Sequence, residues 1–189
     1  MSLAPMNYDF GNASNYSFAT TITCANEDAR KMFVEGFGHM LNFNHEQAIA
    51  CYMKVAELDS NCAMAYWGIA YCVSSNYNWT PGLGSGYDPI QQAISLKAGC
   101  SELEQDLIDA LAERHSEEAR DAADPSVLNM GNTPELNAAF AAAMAPLYEK
   151  YKGNLDVAAI YVEALMNLKA WQLWDKNTET GEITPADDN

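Results

Sequence analysis

Positive charge is scarce in this chain. Its 189 residues include 10 lysines and arginines against 26 aspartates and glutamates, a net charge of −16. Nucleic-acid phosphates and anionic membrane surfaces would be repelled, so partners of those kinds are excluded. Basic proteins and cations remain permitted, and so does a plain solvated surface that keeps a protein monodisperse. The five cysteines are odd in number and form no C-x-x-C pair. A disulfide framework is therefore not expected, which favours a reducing compartment. The first 23 residues lack the basic start and continuous apolar run of a signal peptide. No apolar stretch reaches bilayer-spanning length, so a cytosolic protein is the expectation.

Catalytic signatures are missing too. The sequence holds no G-x-S-x-G, G-x-G-x-x-G, P-loop or H-E-x-x-H. Gly82-Leu83-Gly84-Ser85-Gly86 has neither a following lysine nor a helix immediately after it, so it reads as a flexible loop. Nothing calls for a cofactor or demands an enzyme. With only His39, His45 and His115 to draw on, metal binding also has little support. His39 and His45 lie six apart across a turn, not four apart on one helix face, and form no helical metal pair. A cation site would have to recruit Glu35, Glu46 or Glu163.

What the chain does have is helical periodicity, with an apolar fraction of 49% that suits one domain with a real core. Residues 1–25 read as an irregular arm rich in Asn, Ser and Thr, with Tyr8, Phe10, Tyr16 and Phe18 available to pack across the helices. Asn26 is an N-cap candidate for a helix ending near Leu41, with Glu27 and Asp28 favourable in its first turn. Asn42-Phe43-Asn44 is a turn whose asparagines would tolerate a left-handed backbone. A second helix is predicted over about 45–58, with Ala48, Ile49, Tyr52, Val55, Ala56 and Leu58 as its apolar face. A third covers about 62–74. Residues 74–88 hold too many glycines for a helix and form an inserted loop carrying Tyr77, Trp79 and Tyr87. Helices follow over about 88–98, 101–118 with the capping box Ser101-x-x-Glu104, 133–152 with a kink or later start at Pro146, and 155–170. Residues 175–189 read as a polar tail. No capping helix is read after Trp174, so a truncated array is also an expectation.

Within 32–73 one spacing repeats. Met32, Glu35, Gly36 and His39 are followed by Ala48, Tyr52 and Ser60, and the series restarts at Tyr66, Ile69, Ala70 and Val73. This resembles the tetratricopeptide repeat, W-x2-L-G-x2-Y…A-x3-F…P over roughly 34 residues, with Glu35 and His39 replacing its leucine and tyrosine. Ile160, Glu163, Ala164 and Asn167 restate the opening spacing near the end. Small residues at Gly36, Ala48 and Ala70 let two helices approach, and Tyr52 fills the gap they leave. The resemblance implies an all-α fold of antiparallel helix pairs stacked in a right-handed superhelix, here over residues 26–174.

The resemblance also implies a concave groove lined by the first helix of each pair. That places Phe33, Phe37, Trp67 and Tyr71 in the groove, with Met40 and Leu41 beside them and Tyr77 and Trp79 as a rim. Relatives that clamp acidic chaperone tails carry lysine and asparagine where Phe33 and Phe37 stand, so that ligand is disfavoured. Two readings follow. The aromatic trough could hold a protein or peptide segment, basic or amphipathic, making the chain a non-catalytic scaffold. Alternatively, the chain's own arm, or helices 101–118 and 133–152, could fill the trough. The runs FNHEQAIACY and CAMAYWGIAY are also similar to a subset of repeat proteins that continue into further histidine-containing helices. On that likeness the chain would be the amino-terminal part of a metal-dependent or small-molecule-binding helical enzyme, with His45 and Glu163 the residues to watch.

Overall fold

Asn26 opens the first helix, as its side chain predicts. Its Oδ1 accepts from the backbone N–H of Asp28 at 2.9 Å and of Ala29 at 3.2 Å. The computed structural model describes residues 16–74, 76–78, 85–121 and 134–186. Along them run α1 (Glu27–Leu41), α2 (His45–Leu58), α3 (Ala63–Val73), α4 (Tyr87–Leu96), α5 (Glu102–Ala112), the short α6 (Glu117–Asp121), α7 (Pro134–Lys150) and α8 (Leu155–Met166). Neighbours pack in chain order from α1 to α5, α5 then meets α7, and α7 meets α8. Contacts also skip one helix, α1 to α3 and α3 to α5. The chain is mostly helical, and among the described residues no helix is long and apolar enough to cross a membrane.

The ring of Tyr52 is the wedge of the first three helices. A Cβ on Gly36 of α1 would lie 2.9 Å from Tyr52 Cε1, and one on Gly68 of α3 would lie 2.5 Å from Cε2. Glycine is required at both places because a methyl group would occupy the ring's own volume. Gly36 was visible in the repeat spacing; Gly68 was not.

Several local expectations change. In the 42–44 turn Phe43, not an asparagine, takes the left-handed backbone, with φ 57. Its ring stacks on His45 at 6.1 Å, and its N–H donates to Met40 O, which together hold that uncommon conformation. The helix expected over 101–118 is two. It opens with the predicted capping box at Ser101 and Glu104, stops at Ala112, and resumes after Ser116, whose Oγ accepts from Ala119 N at 3.0 Å. Between the two pieces Arg114 turns inward and is 1% exposed. Pro146 sits inside α7 near its end. Much of the segment read as a polar tail pairs as an antiparallel hairpin, β1 (Trp174–Lys176) with β2 (Ile183–Pro185). Both strands are exposed along their length, so no buried face left an alternating pattern to read.

Candidate functional site

Helices α1 and α3 bring the four trough aromatics together. Phe33 and Phe37 stack at 6.4 Å, and Trp67 lies 5.4 Å from Tyr71. All four are buried, at 0–1% exposure. The surface expected to receive a partner is therefore covered in this structure, and the chain's own residues cover it. Phe18 of the arm sits edge-on to three rings at once: Phe33 at 6.1 Å, Phe37 at 5.8 Å and Trp67 at 6.1 Å. Edge-to-face contacts of this kind add about 0.5–1.5 kcal/mol each beyond area burial. Tyr16 meets Phe37 edge-on at 5.6 Å. From the other side Phe140 of α7 meets Tyr71, and Trp67 Nε1 donates to Leu107 O of α5 at 3.1 Å. Both the arm and the later helices fill the trough.

The arm is also held by its backbone. Phe18 N donates to Asp156 Oδ2 at 2.7 Å, Thr23 N to Glu104 Oε1 at 2.7 Å, and Ala25 N to Asp59 Oδ2 at 2.8 Å. Three carboxylates, from α8, α5 and the end of α2, thus grip one irregular segment. Burial pushes the Asp156 carboxyl above its usual range, and the amides of Phe18 and Ala19 oppose that shift. Sequence reading found Tyr16 and Phe18 as packing aromatics but missed this grip. Glu104 was read only as the capping-box partner of Ser101 and Asp156 carried no reading, and only the fold brings the arm to them.

The rim divides. Tyr77 is half-buried and stacks on Trp171 at 5.4 Å; Trp171 itself has φ 63 and is 72% exposed. Trp79 lies outside the described residues. Of the groove neighbours, Met40 is buried, where its Sδ accepts from Tyr52 OH at 3.6 Å, and Leu41 is half-buried.

Below the aromatics lies a polar cluster. Tyr71 OH donates to Glu163 Oε2 at 2.7 Å, and the Arg114 guanidinium lies 6.0 Å from the Tyr71 ring centroid and 5.4 Å from that of Phe140. Burial raises the Glu163 carboxyl, while Tyr71, Arg114 and Asn167 favour its ionised form. His45 Nδ1 faces Cys72 O at 3.2 Å. Burial, reinforced by Arg114, lowers its pKa to about 4, and the same two causes lower His115 to about 3. His45 Nε2 and Glu163 Oε1 are buried without a hydrogen-bond partner, and the Asn167 amide lies beside the Glu163 carboxyl. Arg114 acts electrostatically on both His45 and Glu163, which puts the two in one buried polar region. Among the described residues no three potential metal-ligating side chains converge. The five cysteines are free, and burial holds the Cys51 and Cys62 thiols up at about 12.

No protein-family model, curated protein or solved structure matches the chain.

Proposed function

We propose that this chain is a non-catalytic scaffold of tetratricopeptide kind whose concave trough binds an extended peptide carrying an aromatic anchor. In the free chain residues 16–25 hold that place in cis. The observation carrying this reading is Phe18, lodged among Phe33, Phe37 and Trp67 while carboxylates take the amides around it. Recognition through backbone amides tolerates many sequences, and an aromatic pocket supplies the register. The surrounding charge of −16 favours basic peptides over nucleic acid.

The test is complementation in the full chain. Phe18→Ala vacates the pocket, and a fluorescent peptide of residues 16–25 is then titrated in. The variant is expected to bind at least about 10-fold more tightly than wild type, whose pocket is occupied, since each 1.4 kcal/mol is tenfold. A peptide with the same Phe18→Ala change should not bind. Equal, negligible binding by wild type and variant would show that Phe18 is core and no more.

The unpartnered atoms of Glu163 and His45 support a second reading, part of a small-molecule-binding or metal-dependent helical enzyme. Elemental analysis of the purified protein, then of His45→Ala, tests its metal arm. Stoichiometric metal lost in the variant would favour it over the scaffold.

A further inference from the structure

The three carboxylates that hold the arm are not equivalent. Glu104 is saturated, since Thr23 N and Oγ1 and Ser101 N and Oγ all donate to it, at 2.6–2.8 Å. Asp59 takes Ala25 N at 2.8 Å, Cys24 Sγ at 3.3 Å and Asn61 N at 3.1 Å. Burial pushes its carboxyl up, and these three bonds together overcome that and hold it below its usual range. Asp156 differs from both. It is 3% exposed and receives the amides of Phe18, at 2.7 Å, and Ala19. Two neutral donors do not offset its burial, so its carboxyl stays above its usual range. Among the described residues no lysine or arginine pairs with it. Nor does Asp156 cap its own helix, because Asn154 Oδ1 takes the first-turn amides of Asp156 and Val157. A buried carboxylate is thus turned to the nitrogen of the residue whose ring anchors the arm. The residue just before that nitrogen, Ser17, is exposed.

Resting on the reading that the trough takes a peptide with an aromatic anchor, we propose that the preferred peptide begins with that aromatic residue, its free α-ammonium paired with Asp156. An amino-terminal nitrogen fits where the Phe18 nitrogen lies, since hydrogens replace the bulkier Ser17 carbonyl carbon. It brings a positive charge, and charge-assisted hydrogen bonds are roughly twice as strong as neutral ones. Asp156 is the place where that charge counts, because burial leaves the pair little screened by salt. Such a peptide gives up the edge contact that Tyr16 makes on Phe37, the contact of a half-buried ring. The net charge of −16 draws the cationic end towards the chain. Capture of an amino terminus is a recurring mode of peptide recognition. The arm, whose Phe18 nitrogen is a neutral amide, is then the weaker occupant, and the charged peptide displaces it.

Two peptides of residues 18–25, one with a free amino terminus and one acetylated, are titrated into the full Phe18→Ala chain by calorimetry at about pH 7. The free form is expected to bind at least about 10-fold more tightly. Adding Asp156→Asn to the same chain should bring the two peptides to within about twofold of each other. The preference should also fade between about pH 7 and pH 10, as an α-ammonium of ordinary pKa about 7.7–8.0 loses its proton; the acetylated peptide is the control. Equal binding of the two peptides at pH 7, or tighter binding of the acetylated one, overturns the proposal and leaves the trough reading standing. Binding of neither overturns both. If the Asp156→Asn chain loses its helical circular dichroism, the pH series decides, and a preference undiminished at pH 10 overturns the proposal.

Discussion

The two ends of this chain handle apolar side chains in opposite ways. Around α1 and α3 the large aromatics lie inside, and Phe18, Phe33, Phe37 and Trp67 are each at most 2% exposed. In α8 two carboxylates, Asp156 and Glu163, lie inside, while there and beyond it Leu155, Val162, Trp171, Trp174 and Ile183 face water at 53% or more. Composition does not explain this, since both ends are rich in apolar residues. The neighbours do. At the amino-terminal end the arm, α5 and α7 close over the aromatics. At the carboxyl-terminal end α8 spends its polar residues on the interior, Asp156 on the arm's amides and Glu163 on Tyr71. Its apolar residues are left for whatever lies outside.

Tryptophan substitutions break the comparison most sharply. Trp67→Ala removes a side chain touching Phe18 and Tyr71 and orphans the Leu107 carbonyl, so a loss of roughly 3–5 kcal/mol is expected. Thermal denaturation should show a melting temperature lower by on the order of 10 °C. A loss under about 1 kcal/mol would mean that the trough is open in solution.

The next effect is titration of the buried polar region. His45 is neutral when folded, with a pKa of about 4 against an ordinary 6.5. Above 6.5 both states are neutral and stability is unaffected. As pH falls from 6.5 towards 4 only the unfolded chain takes up the proton, so stability is lost across that window, on the order of 2–3 kcal/mol from this residue. Glu163, whose carboxyl is raised, acts in the opposite sense, because the folded state keeps its proton more readily. Urea midpoints at pH 7 and pH 4.5 for wild type and His45→Gln measure the difference. A variant with an undiminished pH dependence would clear His45 of this role.

The smallest effect completes the contrast. Trp171→Ala should change stability by about 0.5 kcal/mol or less, since the side chain is 72% exposed and its main contact is Tyr77. A larger loss would place this surface among the buried ones.

Residue spacing by itself determined most of the helices. Asn26 and Ser101 are helix caps whose side chains bond the next turn's amides. These are local interactions, complete within four residues, and therefore legible. The pairing of α1 with α2, and Tyr52 as the wedge beside Gly36, could be read because repeat periodicity encodes close approach. The trough aromatics were legible as a group, but their burial was not. Whether Phe33 meets a partner or Phe18 depends on where an irregular arm lies, and that arm has no periodicity to read. Only the tertiary structure placed Asp156 and Glu104 against it, set Glu163 under Tyr71, and left Leu155 and Val162 of α8 exposed. Helical spacing names the two faces of a helix; only packing decides which face the rest of the chain covers.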